Sequence, residues 1–192
     1  MGIYKYISEK WKNPRVGLGD LWQTRLVEWR KEPVTVRIEH PTRLDKARAL
    51  GFKAKEGYII VRQRVEKGGR QRPKIRKARR SKARRQRKIV GLNYQSIAER
   101  RANRKYVNCE VLNSYWVAED ALHIWHEVIL VDKAHPAILA DRKIKWVAFP
   151  QNRARAFRGL TSAARKSRGL RNKGKGSEKS RPSLRSHGRR AH

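Results

Sequence analysis

The sequence predicts a domain that combines short helices with four strands and carries two long basic segments outside its core. Four stretches alternate apolar and polar residues as strands do. Several others repeat apolar residues every three to four positions, which is typical of helices, and the basic residues are concentrated in two parts of the chain. At 192 residues, the chain has room for one such domain with extensions.

The predicted strands cover residues 34–38, 58–65, 110–118 and 124–131. Only residues 119–123 separate the last two, so we expect these strands to pair as an antiparallel hairpin. Lys145–Phe149 is expected to form one more short strand.

Two arginines of the second strand indicate how the sheet is covered. Arg62 and Arg64 alternate with Val61 and Val65, so the arginines and the valines lie on opposite faces. This pattern predicts a sheet with one face solvated or occupied by a partner. It does not decide between solvated charges and RNA contacts for the two arginines.

The helical repeats predict helices at residues 3–12, 20–31, 44–50, 96–106 and 135–141. Asp20 is the expected N-cap of the second helix, and capping boxes open the third helix at Thr42 and the fourth at Ser96. We interpret the tryptophans of the helices and strands as core residues rather than as base-stacking residues. For the second helix, the helical spacing of its stripe supports this interpretation for Leu18, Trp22, Leu26 and Trp29.

The charge of the chain is concentrated in two segments. The chain has 50 Lys and Arg against 16 Asp and Glu, a formal net charge of +34. Residues 67–88 hold 13 of the basic residues and no acidic one, and residues 151–192 hold 14 basic residues and one acidic residue. The internal segment lacks an apolar face, so we expect it to order only on a polyanion. The tail is expected to be extended, with one or two helical turns at 160–166 when bound.

This charge pattern predicts one domain whose compact parts are residues 1–66 and 89–150. Residues 67–88 form a basic internal extension, and residues 151–192 form a basic C-terminal extension. Gly68 and Gly69 are interpreted as a flexible joint at the start of the internal extension, not as a phosphate-binding loop, because no strand-to-helix context follows them.

No pattern of catalytic or cofactor-binding residues is found. The phosphate-loop, dinucleotide, zinc-protease and nucleophile-elbow motifs are absent, and the carboxylates are scattered. Cys109 is the single cysteine. His123 and His126 have opposite strand parity, which argues against a metal site that joins them to Cys109 and His135. We therefore expect that the protein is not an enzyme and that it binds no cofactor, no metal and no small-molecule substrate. No apolar run has the length of a signal peptide or membrane span, so no membrane partner is expected.

The two basic segments favour RNA as the partner. Each phosphate that a cation neutralises releases counterions and so strengthens binding, and arginine outnumbers lysine in both segments, which favours bidentate phosphate contacts and stacking on bases. Proteins that read duplex DNA present a helix that fits a groove, and no such element stands out. The alternatives are a solvated disordered tail or a nuclear sorting signal, although such signals are usually short.

Several stretches resemble a known family. In chain order they read GIYKYISEKW, RLDKARALGFKAKEGYIIVRQRVEKGGRQRP, SIAERRANRKY, VLNSYWVAED, EVILVD, HPAI and RGLTSAARKSRGL. They are similar to ribosomal protein fifteen of the archaeal and eukaryotic large subunit, the "e" type, over most of the chain to about Leu170. The internal segment is more basic than expected of eukaryotic members, which indicates the archaeal branch.

The resemblance implies a small α+β domain with a mostly antiparallel four-stranded sheet and two extensions that thread into ribosomal RNA. It implies no catalysis and no cofactor, a cytoplasmic location on the ribosome, and contacts with large-subunit rRNA and neighbouring large-subunit proteins. By match to the family's stretches, the best RNA contacts are Arg62, Arg64, Arg70, Arg72, Arg158, Arg165, Lys166 and Arg168. The other candidate contacts are Lys74, Arg76, Lys77, Arg79, Arg80, Lys82, Arg84, Arg85, Arg87, Lys88, Arg101, Arg104, Arg153, Arg155 and Arg171.

The leading hypothesis is a structural ribosomal protein that stabilises rRNA and supports ribosome assembly and translation. An RNA chaperone or assembly factor outside the mature ribosome is a second hypothesis, which association with precursor particles alone would indicate. A chromatin-type DNA-binding protein is a third, for which a preference for duplex DNA over structured RNA would speak.

Overall fold

One four-stranded antiparallel sheet lies between two groups of helices. The computed structural model describes residues 2–72, 74–79, 87–183 and 185–188. The strands of the sheet are β1 (Thr35–Ile38), β2 (Tyr58–Glu66), β5 (Cys109–Glu119) and β6 (His123–Asp132), in the spatial order β1-β2-β6-β5. The predicted strands, the β5–β6 hairpin and the α+β class are therefore confirmed. Two further short strands, β3 (Arg70–Gln71) and β4 (Arg87–Lys88), pair with each other as a separate ribbon.

The helices are α1 (Ile3–Lys10), α2 (Pro14–Leu18), α3 (Asp20–Lys31), α4 (Leu44–Ala49), α5 (Tyr94–Lys105), α6 (Pro136–Ala140), α7 (Arg155–Arg158) and α8 (Ser162–Ser167). Short 3-10 helices occur at Lys145–Ala148, Pro150–Asn152 and Glu178–Ser180. Each of the predicted helices is present within a few residues of its expected bounds. In the described ranges, no helix has the length and apolar character that crossing a membrane requires.

The first face of the sheet packs against the N-terminal helices. Trp22 and Trp29 of α3 are buried and share a core cluster with Trp125 of β6 and with Leu26. The ring centroids of Trp29 and Trp125 are 6.2 Å apart, and those of Trp22 and Trp116 are 6.0 Å apart, separations at which aromatic pairs attract. The interpretation of these tryptophans as core residues is therefore confirmed.

The second face packs against α5. Ala98 and Ala102 of this helix are fully buried in a cluster with Val61, Val65 and Val128 of the sheet. Because helices cover both faces, the prediction of an open or partner-covered face is wrong. The polar positions that alternate along β2 face a layer of tryptophans from α3, and that layer comes from a distant part of the chain.

The two predicted capping boxes are wrong, because their residues have partners elsewhere. The N–H of Thr42 donates to the Glu127 carboxylate at 3.1 Å, and no side chain caps α4. Helix α5 begins two positions before Ser96, and the Asn93 side chain caps it by accepting from the Ser96 N–H at 2.7 Å. Asp20 is the first residue of α3 rather than its cap.

The predicted strand at Lys145–Phe149 is also wrong. The segment forms a 3-10 helix, in which the N–H of Val147 donates to the Ile144 carbonyl at 3.0 Å. This turn places Ile144 and Val147 side by side in a small cluster with Val131 and Ile138. In an extended segment, residues three positions apart point to opposite sides, so a strand could not bury Ile144 and Val147 together in this way.

Candidate nucleic-acid interface

The internal basic segment is fixed at its base to the folded domain. The N–H of Lys67 donates to the Leu122 carbonyl in the β5–β6 turn at 2.8 Å. The N–H of Gly68 donates to the hydroxyl of Tyr94, the first residue of α5, also at 2.8 Å. Gly68 has a φ of 98°, a conformation that glycine adopts without steric cost. The β3–β4 ribbon, in which Arg70 is the partner of Lys88, therefore leaves the domain beside the start of α5.

The residues after β3 present exposed cations, and from here on the name ribbon includes these residues together with β3 and β4. Lys74, Arg76, Lys77 and Arg79 are all exposed, and within the described ranges their side chains form no hydrogen bond or ion pair. Arg72 is half-buried beside them. The RNA contacts predicted for the following residues lie outside the described part of the structure and stay predictions: Arg80, Lys82, Arg84, Arg85 and the side chain of Arg87.

An open groove of about 480 Å³ separates the ribbon from α5. Its apolar lining residues, which we call the floor, are Ile89, Val90, Leu92 and Ile97. Its cationic lining residues, which we call the rim, are Arg70, Lys88, Arg100, Arg101 and Arg104. No carboxylate is among the described residues that line it, so the field in the groove has one sign and attracts anions. We call this feature the α5 groove.

Helix α5 presents basic residues to the groove because its opposite side is fixed against the sheet. Ala98 and Ala102 point into the core, while Arg101 and Arg104, three positions apart, lie together on the outer side. Arg104 is exposed and Arg101 half-buried. The predicted continuation of the basic surface along this helix therefore agrees with the structure.

A buried carboxylate attaches the C-terminal segment to α5. Glu99 is fully buried and accepts hydrogen bonds from the hydroxyls of Ser114 and Thr161, both at 2.5 Å. Burial raises the pKa of Glu99, and the bonds from the two hydroxyls act in the opposite direction. Thr161 also caps α8 by accepting from the Ala164 N–H at 3.3 Å. We call the contact between Glu99 and Thr161 the C-terminal anchor.

The extended conformation predicted for the tail is wrong at α7 (Arg155–Arg158), whereas the helical turns predicted at 160–166 are present as α8 (Ser162–Ser167). Ala156 of α7 and Ala163 and Ala164 of α8 are buried, and both helices contact α5. These alanines give an otherwise basic segment a small apolar side that packs against α5.

Two predicted arginines of this segment make contacts inside the fold. The guanidinium of Arg155 lies 4.7 Å from the ring centroid of Trp146 and donates to the Val111 carbonyl at 2.9 Å. Arg168 donates to the Gly159 carbonyl at 3.1 Å. Both side chains therefore stabilise the docked segment, and their predicted RNA contacts stay predictions.

The remaining predicted residues of the segment are more exposed. Arg158 donates to the Arg153 carbonyl at 2.9 Å, and Arg171 donates to the Ser162 hydroxyl. Three of the predicted cations, Arg153, Arg165 and Lys166, are exposed and have no side-chain hydrogen bond or ion pair within the described ranges.

Arg62 and Arg64 lie on the other side of the sheet, away from the α5 groove. Arg62 is buried, with its guanidinium 4.4 Å from the Trp29 ring centroid and Nη2 at 2.7 and 2.8 Å from the two carboxylate oxygens of Glu32. Arg64 donates to the Arg30 carbonyl at 2.6 Å, which satisfies a free carbonyl at the C-terminus of α3. Both side chains are engaged in contacts within the protein. The RNA contacts predicted for both arginines stay predictions.

The structure thus groups the predicted residues of the ribbon with Arg101 and Arg104, and it separates Arg62 and Arg64 from them. Six residues that line the groove are absent from the prediction, among them Arg100 and Ile89. Arg100 lines the groove and also holds the C-terminal segment, by donating to the carbonyls of Ala156 at 3.3 Å and Phe157 at 3.1 Å. Ile89 is 78% exposed. In the sequence, the signal that could have found Ile89 is its position directly after a long run of basic residues.

Two carboxylates of the folded part, Asp120 and Asp141, are paired with cations of the same domain. Asp120 pairs with Arg30 at 2.8 Å, and Asp141 lies 3.0 Å from the Lys53 amine and 2.7 Å from that of Lys55. Hydrogen bonds, led by the one from Lys55, hold the pKa of Asp141 well below its usual range. Neither carboxylate is paired with a cation of the groove, and Lys74, Arg76, Lys77 and Arg79 have no carboxylate partner within the described ranges.

The fold and this charge distribution are those of a basic α+β protein with one exposed cationic surface. The family model described as Ribosomal L15 matches residues 2–187. The chain is 51% identical to the large ribosomal subunit protein eL15 of Methanocella arvoryzae, over 97% of this chain and 96% of that protein. Identity is 51% to the protein of the same name in Nanoarchaeum equitans, with 96% and 97% covered, and 50% to that in Thermoplasma volcanium, with 97% and 96% covered.

The chain belongs to the Ribosomal L15 family. The resemblance found in the sequence is thereby confirmed, including its archaeal character, since these relatives are archaeal.

Proposed function

We propose that this protein is a structural constituent of the archaeal large ribosomal subunit and that it binds large-subunit rRNA, supporting ribosome assembly and translation. The observation that carries the proposal is similarity over almost the entire chain to relatives named as large-subunit proteins. The family is structural rather than enzymatic, so the role requires no reaction and no cofactor. Its location is the cytoplasm, as part of the ribosome.

The cationic surface supplies the means of binding. Neutralising rRNA phosphates with these side chains releases counterions into solution, which favours association. The exposed side chains with no partner in the described ranges can do this without first breaking a contact inside the protein. We propose the following as the principal RNA contacts: Arg70, Lys74, Arg76, Lys77, Arg79, Lys88, Arg101, Arg104, Arg153, Arg165 and Lys166.

The proposed division of labour keeps the boundaries predicted from charge. The parts at 1–66 and 89–150 form the compact domain, while the extensions at 67–88 and 151–192 follow gaps between rRNA helices and order there. The C-terminal anchor refines this division, because it supports a docked start of the second extension at residues 155–167. Neighbouring large-subunit proteins are the other expected partners, at surfaces that RNA leaves uncovered.

The test is fractionation of native lysate on a sucrose gradient, with this protein quantified across the fractions before and after a high-salt wash. We expect equal stoichiometry with the large subunit, and retention after the wash, because threaded extensions resist salt better than surface contacts. Protein that is found free, or only with precursor particles, would contradict the proposal and favour an assembly factor.

A further inference from the structure

We infer that the α5 groove binds an unstacked RNA base, from a nucleotide turned out of its helix, rather than the surface of a continuous duplex. The inference rests on the proposed function and names the kind of RNA element that this part of the surface takes. It is based on the combination of an apolar floor and a cationic rim.

The floor is unsuited to a continuous duplex. An A-form helix presents phosphates and 2′-hydroxyls to an approaching protein, and its bases are stacked inside. Such a surface would leave Ile89, which is 78% exposed, facing charged and hydrated groups. The face of an unstacked base is flat and apolar, and it can cover Ile89 and the neighbouring Val90 and Leu92.

The rim is suited to the phosphates on either side of such a base. Arg70 and Lys88, paired across the ribbon, stand on one side, and Arg101 and Arg104 of α5 stand on the other. A nucleotide inserted between these walls carries a phosphate toward each wall. An acidic protein segment would also be attracted to the rim, but its carboxylate side chains have no flat apolar face to cover the floor.

Both walls are held in place before a ligand arrives. The hydrogen bond from Gly68 to Tyr94 ties the base of the ribbon to the start of α5. Arg100 is held by its bonds to the Ala156 and Phe157 carbonyls, so the α5 side of the groove is braced by the docked C-terminal segment. A preformed site loses less entropy on binding than one that must be ordered.

The experiment is a competition assay with the full-length protein and two hairpin RNAs of equal phosphate number. One has a perfectly paired stem, and the other has one unpaired nucleotide in the stem. Measuring the ratio of their competition constants at one salt concentration cancels the electrostatic attraction that both RNAs share. The variant is Ile89→Ser, and the control is Val107→Ser. Val107 is 76% exposed and lies outside the groove lining, so the two substitutions remove equally exposed apolar side chains.

We expect the wild-type protein to prefer the hairpin with the unpaired nucleotide by about five- to tenfold, at the low end of what base stacking on aromatic side chains provides. Ile89→Ser should abolish the preference and leave the affinity for the paired hairpin unchanged, and Val107→Ser should keep both. Equal affinities in the wild type, an unchanged preference in Ile89→Ser, or tighter binding of a polyglutamate peptide would overturn the inference. Failure to bind either hairpin would instead contradict the proposed function.

Discussion

Arg62 shows that a basic residue in a basic protein can serve the fold rather than a ligand. Its charge is compensated by Glu32 and its plane is covered by Trp29, so little of it faces water. The alternation along β2 correctly placed Arg62 and Arg64 on one face. It could not show that Trp29, more than thirty positions earlier in the sequence, covers that face, because the contact between α3 and the sheet is set by tertiary packing.

Replacing Arg62 should destabilise the protein itself. Arg62→Ala removes the stacking on Trp29 and leaves the partly buried Glu32 without its partner, so we expect the free energy of unfolding to fall by about 2 kcal/mol. Denaturant unfolding of the isolated protein measures this loss, with Arg104→Ala as the control. Arg104 is exposed, and its loss should change stability by less than about 0.5 kcal/mol.

The opposite pattern would assign Arg62 to the RNA. Unchanged stability in Arg62→Ala, together with weaker binding of rRNA, would mean that the ion pair with Glu32 is dispensable and that the guanidinium is used by the ligand.

At the scale of elements, α5 connects the folded core to the candidate interface. The helical repeat predicted its existence and its basic side. The local pattern misplaced its start, because the Ser96–Glu99 spacing has the form of a capping box. In the structure, the Glu99 carboxylate instead accepts hydrogen bonds from Ser114 and Thr161. A partner 62 positions away leaves no local signal. The short apolar side of α7 and α8 was missed for a related reason, because isolated alanines among arginines do not form a recognisable stripe.

The C-terminal anchor should be separable from the rest of the fold by one substitution. Thr161→Val keeps the shape of the side chain but removes the donor to Glu99 and the cap of α8. We expect a loss of about 1–3 kcal/mol in the free energy of unfolding, because a buried carboxylate is left with one donor fewer. Hydrogen exchange of the α8 amides should also become faster than in the wild type.

The matched control is Thr24→Val, the same chemical change at an exposed position of α3. It should alter stability by less than about 0.5 kcal/mol and leave exchange in α8 as it is. If Thr161→Val behaved like this control, the C-terminal segment would be held by other contacts.

At the scale of the whole molecule, positive charge is concentrated in two parts of the chain, and much of it faces outward. The distribution of charged residues along the sequence predicted the two basic parts correctly, because this distribution is read directly from the order of the residues. Composition could not show that Asp120 and Asp141 are already paired with cations of the domain, nor that the cations of the ribbon and of α5 meet around one groove. Both results depend on the tertiary fold.

The cations of the ribbon should dominate the salt dependence of RNA binding. Replacing Lys74, Arg76, Lys77 and Arg79 together by Gln removes four charges. If each contacts a phosphate, the slope of log affinity against log salt should become shallower by about 3, since each phosphate contact contributes about 0.7–0.9. Titrations of a structured rRNA fragment at several salt concentrations measure this slope.

The control is a second set of four exposed cations, which lie in the first 50 residues of the chain: Lys12, Arg15, Lys31 and Lys46. Changing these four to Gln alters the net charge by the same amount. A loss of slope equal to that of the ribbon set would show that affinity follows total charge and not the described surface.

The C-terminal anchor also has a consequence for how the chain is made. Because Thr161 follows Glu99 by 62 residues, α5 cannot complete its burial until synthesis from the N-terminus has passed Thr161. Until Thr161 has emerged, Glu99 has one donor fewer and α7 and α8 are not yet docked. A protein that the ribosome produces and that, on our proposal, becomes part of the ribosome would thus acquire its finished RNA-facing surface only after Thr161 has emerged. Truncated products would lack the docked segment and would be distinguishable from complete ones before assembly.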